Sequence, residues 1–76
     1  MAYRNLLIEL IKKGISEKES EKRIAIVLGK SKKTVHKKLN CISDWTLSEM
    51  NAINQRLFDG QQSLDYLFVY FEEEDE

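Results

Sequence analysis

The sequence predicts an all-α domain of five helices, and three observations carry that prediction. The 76 residues contain no proline and only three glycines, so few positions force a helix to break. Apolar residues recur at three- and four-residue spacing in successive segments. Serine or threonine stands in front of most of these segments, where it can cap a helix. With 42% hydrophobic and 33% charged residues, the chain has the composition of one folded soluble domain.

The first helix is predicted over Tyr3–Lys13, and Gly14 is expected to end it. Its apolar stripe consists of Leu6, Leu7, Leu10 and Ile11. The second helix has two possible starts. Ser16 followed by Glu19 has the form of a capping box, which predicts a helix over Glu17–Leu28. Ser20 can instead cap a helix one turn shorter. We favour the longer helix, whose expected core residues are Ile24, Ala25, Val27 and Leu28.

The third helix follows after a very short connection. Gly29 is expected to end the second helix at positive φ, and Ser31 to cap the third. The helix is predicted to reach Asn40. Val35 and Leu39 lie four residues apart and should point inward. The polar and basic residues fall on the other faces: Lys32, Lys33, His36, Lys37 and Asn40.

A loop over Cys41–Trp45 leads to the fourth helix, with Trp45 expected to anchor its start in the core. Thr46 and Glu49 form a second capping-box pattern, and the helix should run to Phe58. The stripe Leu47, Met50, Ile53, Leu57 is expected to be buried, and Asn51, Asn54, Gln55 to be exposed.

After the fourth helix, the sequence predicts a turn, one short helix and a tail. Asp59 and Gly60 suggest a turn, and Ser63 is expected to cap a fifth helix over Leu64–Phe68. The segment Val69–Phe71 is apolar and β-prone, which favours a role in self-association. We therefore divide the chain into one domain over residues 1–71 and an acidic tail over residues 72–76.

The net charge of −1 hides a strong asymmetry. Between Glu21 and Asp44 there is no acid, and seven bases give that stretch a charge of +7. The remainder has five bases and thirteen acids, which gives −8. A local basic region on an acidic body indicates one oriented docking face for a polyanion.

The same basic stretch carries a helix-turn-helix pattern. Small Ala25 permits close helix crossing, and Leu28, Val35 and Leu39 fill the wedge between the two helices. Three segments in order resemble the Cro/CI-type, lambda-repressor-like domains of phages, especially those of Gram-positive prophages. They are Leu28-Gly29-Lys30-Ser31-Lys32-Lys33-Thr34-Val35 with Lys38-Leu39-Asn40, then Trp45-Thr46-Leu47-Ser48-Glu49, then Ser63-Leu64-Asp65-Tyr66-Leu67-Phe68. The resemblance covers roughly residues 3–68.

The resemblance implies a compact five-helix domain that binds double-stranded DNA sequence-specifically as a homodimer and acts as a phage-type transcriptional repressor. It assigns base contacts to Lys32, Lys33 and His36, where lysine suits guanine. It assigns phosphate contacts to Ser31, Thr34, Lys37 and Asn40. Lys30 and Lys38 are expected to add electrostatic attraction.

Three features depart from that family pattern. The chain is about four residues longer between Gly14 and Ile24. Glu17 or Glu21 stands where the family often has a phosphate-contacting glutamine, and a carboxylate disfavours such a contact. Cys41 stands where glycine is common.

Several functions have no support in the sequence. One cysteine and one histidine cannot make a disulfide or a typical metal cluster, so we expect no metal and no cofactor. No constellation of residues suggests an enzyme. No segment suggests a signal peptide or a membrane span, which favours a cytoplasmic protein. The alternative function is a protein-interaction module, an antirepressor or inhibitor on the same fold, which the acidic surface and aromatic tail favour.

Overall fold

Five α-helices make up the fold in the computed structural model, which describes residues 2–40 and 42–71. They are α1 (Arg4–Lys12), α2 (Glu17–Leu28), α3 (Lys32–Leu39), α4 (Leu47–Phe58) and α5 (Leu64–Leu67), and no strand occurs among the described residues. The radius of gyration is 11.6 Å, about that of a compact domain of this length. The all-α prediction is confirmed, and each helix begins and ends within one residue of its predicted bounds.

The start of α2 decides between the two predicted alternatives. The Ser16 hydroxyl oxygen accepts a hydrogen bond from the Glu19 backbone N–H at 3.2 Å, so Ser16 is the N-cap and the longer helix is confirmed. Ser20 does not cap a helix. Its hydroxyl donates to the Ser16 carbonyl oxygen at 2.9 Å, and the residue is 1% exposed inside the helix packing.

The hydrophobic core forms around α2, which contacts α1, α3 and α4. Every helix contributes at least one residue that is nearly inaccessible to solvent. These residues include Leu6, Leu10, Ile24, Val35, Leu39, Ile53, Phe58 and Leu67. Val27, Leu28 and Leu57 are half-buried against them. The predicted inward positions of α2 and α3 are therefore confirmed.

Two predictions on α4 are wrong. Leu47, expected in the buried stripe, is 63% exposed, because it is the first residue of the helix and lies before the part that meets the core. Asn54, expected on the exposed face, is 6% exposed. Its amide nitrogen donates to the Gln62 carbonyl oxygen at 2.8 Å, and the Gln62 N–H donates to its amide oxygen at 3.2 Å. Asn54 thus fixes the connection to α5, which folds back over α4.

The turn at that connection uses two left-handed residues. Asp59 has φ of +55° and Gly60 has φ of +71°, as the predicted turn requires. The Gly60 N–H donates to the Asn54 carbonyl oxygen at 2.9 Å and closes the end of α4.

The apolar segment after α5 packs on the start of its own chain. The Phe71 N–H donates to the Ala2 carbonyl oxygen at 2.9 Å, and the Arg4 guanidinium lies 5.5 Å from the centre of the Phe71 ring. This intrachain contact limits what the segment offers to a second copy, although Val69 and Tyr70 stay 39% and 54% exposed. The predicted acidic tail over residues 72–76 and Cys41, which stands where the family commonly has glycine, lie outside the described residues.

An aromatic cluster packs where the first residues of the chain meet the segment after α5. The Trp45 ring centre lies 5.4 Å from that of Phe68 and 6.1 Å from that of Tyr3, both in edge-on geometry. Trp45 is half-buried against the core, so its predicted anchoring role is confirmed. Its indole N–H is buried with no hydrogen-bond partner among the described residues.

Candidate nucleic-acid interface

The connection between α2 and α3 holds the two helices in fixed relation. Gly29 ends α2 with φ of +65°, and the Lys30 N–H donates to the Ala25 carbonyl oxygen at 3.1 Å. A side chain at Gly29 would meet no atom within 4 Å, so only the backbone conformation demands glycine there. Ser31 then caps α3 by accepting from the Thr34 N–H at 3.1 Å. The predicted turn and cap are both confirmed.

The third helix separates an apolar face from a basic one. Val35 and Leu39 are 0% and 2% exposed and pack in the core. The opposite face exposes the side chains of Lys32, Lys33, His36 and Lys37, with Asn40 exposed at the helix end. Thr34 is half-buried, and its hydroxyl lies 3.0 Å from the Ser31 hydroxyl at the cap. The predicted site residues therefore lie on α3, at Asn40 directly after it, or at Lys30 and Ser31 directly before it.

Lys38 does not belong to this exposed face, which contradicts its predicted attraction for an anion. Its side chain is 10% exposed, and Nζ lies 3.0 Å from Glu49 Oε1 and 2.8 Å from the Asp44 carbonyl oxygen. The ammonium also lies 5.9 Å from the centre of the Trp45 ring. Lys38 therefore connects α3 to the start of α4 through the hydrogen bonds of its ammonium.

Glu49, which bonds Lys38, also forms a complete capping box with Thr46 at the start of α4. Its Oε1 accepts from the Thr46 N–H at 2.9 Å, while the Thr46 hydroxyl accepts from the Glu49 N–H at 3.1 Å. Burial acts to raise the pKa of Glu49, but the hydrogen bonds from Thr46 and Lys38 outweigh it and hold that pKa below its ordinary value. Lys30, 45% exposed, has its Nζ 3.8 Å from Glu49 Oε2.

The basic stretch does not form a single surface. Lys38 is buried, and Lys22 and Arg23 line a recess between α2 and α4 together with Leu57. The exposed positive charges on α3 and directly before it are those of Lys30, Lys32, Lys33 and Lys37. A count of charges along the sequence thus overstates the charge on the exposed face of α3.

His36 has a partner that sequence reasoning missed. Its Nδ1 lies 2.6 Å from Glu21 Oε2, across the gap between α2 and α3. Asn40 lies on the other side of the ring, with Nδ2 at 3.5 Å from His36 Nε2 and donating to the His36 carbonyl oxygen at 2.8 Å. Helical spacing could have suggested the contact, because Glu21 precedes Ala25, a helix-crossing residue, by four positions.

The described residues hold no group of three or more acidic, histidine or cysteine side chains arranged for a metal ion. Among the same residues, no helix is both long enough and apolar enough to cross a membrane. Comparisons of the chain with protein families, with curated proteins and with solved structures found no match.

Proposed function

We propose that this protein binds double-stranded DNA sequence-specifically through α2 and α3, acting as a helix-turn-helix of the Cro/CI, lambda-repressor-like kind. The observation that carries the proposal is the division of α3 into a buried apolar face and an exposed basic face. An α-helix is about 10–12 Å wide with its side chains, and the major groove is about 12 Å wide. The exposed face of α3 therefore suits insertion into that groove.

The proposed contacts divide by chemistry. Lys32, Lys33 and His36, which are exposed on α3, are the residues that we assign to base edges. Backbone phosphates are contacted by the residues at the helix ends and on its flank: Lys30, Ser31, Thr34, Lys37 and Asn40. The free N–H groups at the start of α3 support a phosphate near Ser31. Phosphate contacts supply most of the affinity, and base contacts supply the preference.

We further propose that the protein binds as a homodimer and represses transcription. Two-fold dimers present equivalent helices to major grooves about 34 Å apart. The longest extent of the molecule is 37 Å, which is comparable with that spacing. The exposed side chains of Val69 and Tyr70 are the surface we assign to this contact.

Selection from a random duplex library, followed by titration of the selected site across a salt series, tests the proposal. If Lys30 and Lys37 of both protomers neutralise four phosphates, log Kd changes with log salt by a slope of about 3.6. Raising the salt from 50 to 200 mM then weakens binding about 150-fold. A chain that selects no sequence and binds no duplex at 50 mM salt contradicts the proposal.

That negative result would favour the second candidate, a protein-interaction module. The supporting observation is that Val69 and Tyr70, two adjacent apolar side chains after α5, are exposed. Loss of binding to a different protein on Tyr70→Ser would support this candidate, provided that the variant folds as the wild type does; loss of self-association alone would not, because the DNA-binding proposal expects it as well.

A further inference from the structure

Glu21 and His36 connect the two helices of the proposed DNA-binding unit at its surface. The Nδ1 to Oε2 distance of 2.6 Å is short, and the side chains are 58% exposed for His36 and 30% for Glu21. The two residues are fifteen positions apart in sequence. They line a small recess between α2 and α3 with Glu17, Leu39 and Asn40.

The contact restricts the imidazole in two ways. An ionised carboxylate can only accept hydrogen bonds, so the ring carries its proton on Nδ1 when it bonds Glu21. Asn40, one turn later on α3, lies against Nε2 at the other side of the ring. An exposed histidine without such neighbours would populate several rotamers and both tautomers. Here Nδ1 of the ring faces Glu21 on α2, and Nε2 faces Asn40 on α3.

Stability alone does not account for this pair. Exposed ion pairs contribute about 0–1 kcal/mol, and Glu21 places a carboxylate beside the face that would approach phosphates. Glu17 lines the same recess and adds a second carboxylate, while Lys33 and Lys37 flank His36 on its own helix. A negative charge here opposes non-specific attraction to the DNA backbone, so overall DNA affinity does not account for the pair either.

We propose that Glu21 is a positioning residue, which fixes His36 in the orientation that reads one base pair in the major groove. The inference rests on the proposed DNA binding and names a specificity determinant on α2 in addition to those on α3. A fixed ring offers its remaining nitrogen to a base edge in one direction, whereas a mobile ring contacts different bases with similar energy. Glu21 therefore contributes preference at one position and no gain in overall affinity.

Two substitutions separate orientation from charge. Glu21→Gln and Glu21→Ala both remove the negative charge, so both should raise non-specific affinity by a similar factor. Only glutamine keeps a side-chain oxygen that accepts from Nδ1. His36→Ala identifies, by selection from a random duplex library, the base-pair position that depends on His36. We expect Glu21→Ala to lower the preference at that position about fivefold and Glu21→Gln to retain it.

A measurement without DNA tests the geometry separately. In the neutral imidazole, ¹⁵N chemical shifts should report the Nδ1–H tautomer in the wild type and a mixture richer in Nε2–H in Glu21→Ala, whereas Glu21→Gln can present either its amide oxygen or its amide nitrogen to Nδ1. Equal tautomer populations in the wild type and Glu21→Ala overturn the positioning role. So does equal base preference in the two Glu21 variants when the wild type binds with a preference. If the wild type selects no sequence, the proposed DNA-binding function fails. If the wild type selects a sequence but the two Glu21 variants show equal base preference, only the positioning role fails.

Discussion

Replacing Lys38 with methionine is the most direct test of how α3 is held against the body of the protein. Methionine keeps an unbranched apolar stem but removes the ammonium, which leaves Glu49 with its side chain 9% exposed and without its nearest cation. Removing one partner of a buried ion pair costs about 3–5 kcal/mol. The Thr46 N–H at 2.9 Å and Lys30 at 3.8 Å still compensate Glu49 in part. We therefore expect a loss of about 2–4 kcal/mol.

That loss is large for a domain of this size. At about 0.05–0.15 kcal/mol per residue, 76 residues give a free energy of unfolding of roughly 4–11 kcal/mol. The double variant K38M/E49Q should recover most of the loss, because glutamine keeps the acceptor for Thr46 and leaves no buried charge. We expect it to be about 1–2 kcal/mol less stable than the wild type.

Urea unfolding followed by circular dichroism measures these differences without depending on Trp45, whose ring lies beside Lys38. The matched control is K37M on the adjacent, exposed residue, where the change should stay within about 0.5 kcal/mol. Equal stability of K38M and K37M would refute the argument. So would a K38M/E49Q variant whose loss equals the sum of the two single losses.

Three further predictions concern the interface, the α4–α5 connection and pH. Lys33→Ala should weaken binding to the selected DNA site by about 1–3 kcal/mol and should change non-specific binding little. Lys37→Ala should weaken both kinds of binding and lower the salt slope by about one per protomer. Equal losses for Lys33→Ala on both DNAs in a fixed-salt titration would count against its base contact. Asn54→Ala should lower the free energy of unfolding in urea by about 1–3 kcal/mol, because it leaves both Gln62 backbone groups without partners. The control Asn51→Ala, on the exposed face, should leave that free energy nearly unchanged. The lowered pKa of Glu49 contributes stability that is fully present above its ordinary value of 4.5 and is lost as the pH falls through the folded value. The stability gap between wild type and Glu49→Gln should therefore narrow between pH 5 and pH 3, and a constant gap would contradict the assignment.

Local chemistry made much of the fold predictable. A capping serine bonds a backbone N–H three residues away, and a helix-ending glycine needs only its own backbone angle, so Ser16, Gly29 and Ser31 could be identified from neighbouring residues. Val35 and Leu39 followed from helical spacing alone.

The errors arose where the partner is distant in sequence. Lys38 and Asn54 read as exposed polar residues until Glu49 and Gln62 are brought against them by the packing of α4 and by the turn after it. Periodicity places a residue on one side of its own helix but does not say which other helix covers that side. The same limit hid Glu21 as the partner of His36.

The contact between Ala2 and Phe71 makes the described chain nearly circular. A backbone hydrogen bond of 2.9 Å joins the second residue to the last described one, so a short linker could connect the two positions without crossing the fold. New ends could then be opened at Gly60, in an exposed turn outside every helix. Such a circular permutant should keep the core and the relation of α2 to α3, with a helical circular dichroism spectrum like that of the parent. A disordered spectrum would mean that the original chain order is itself required for folding.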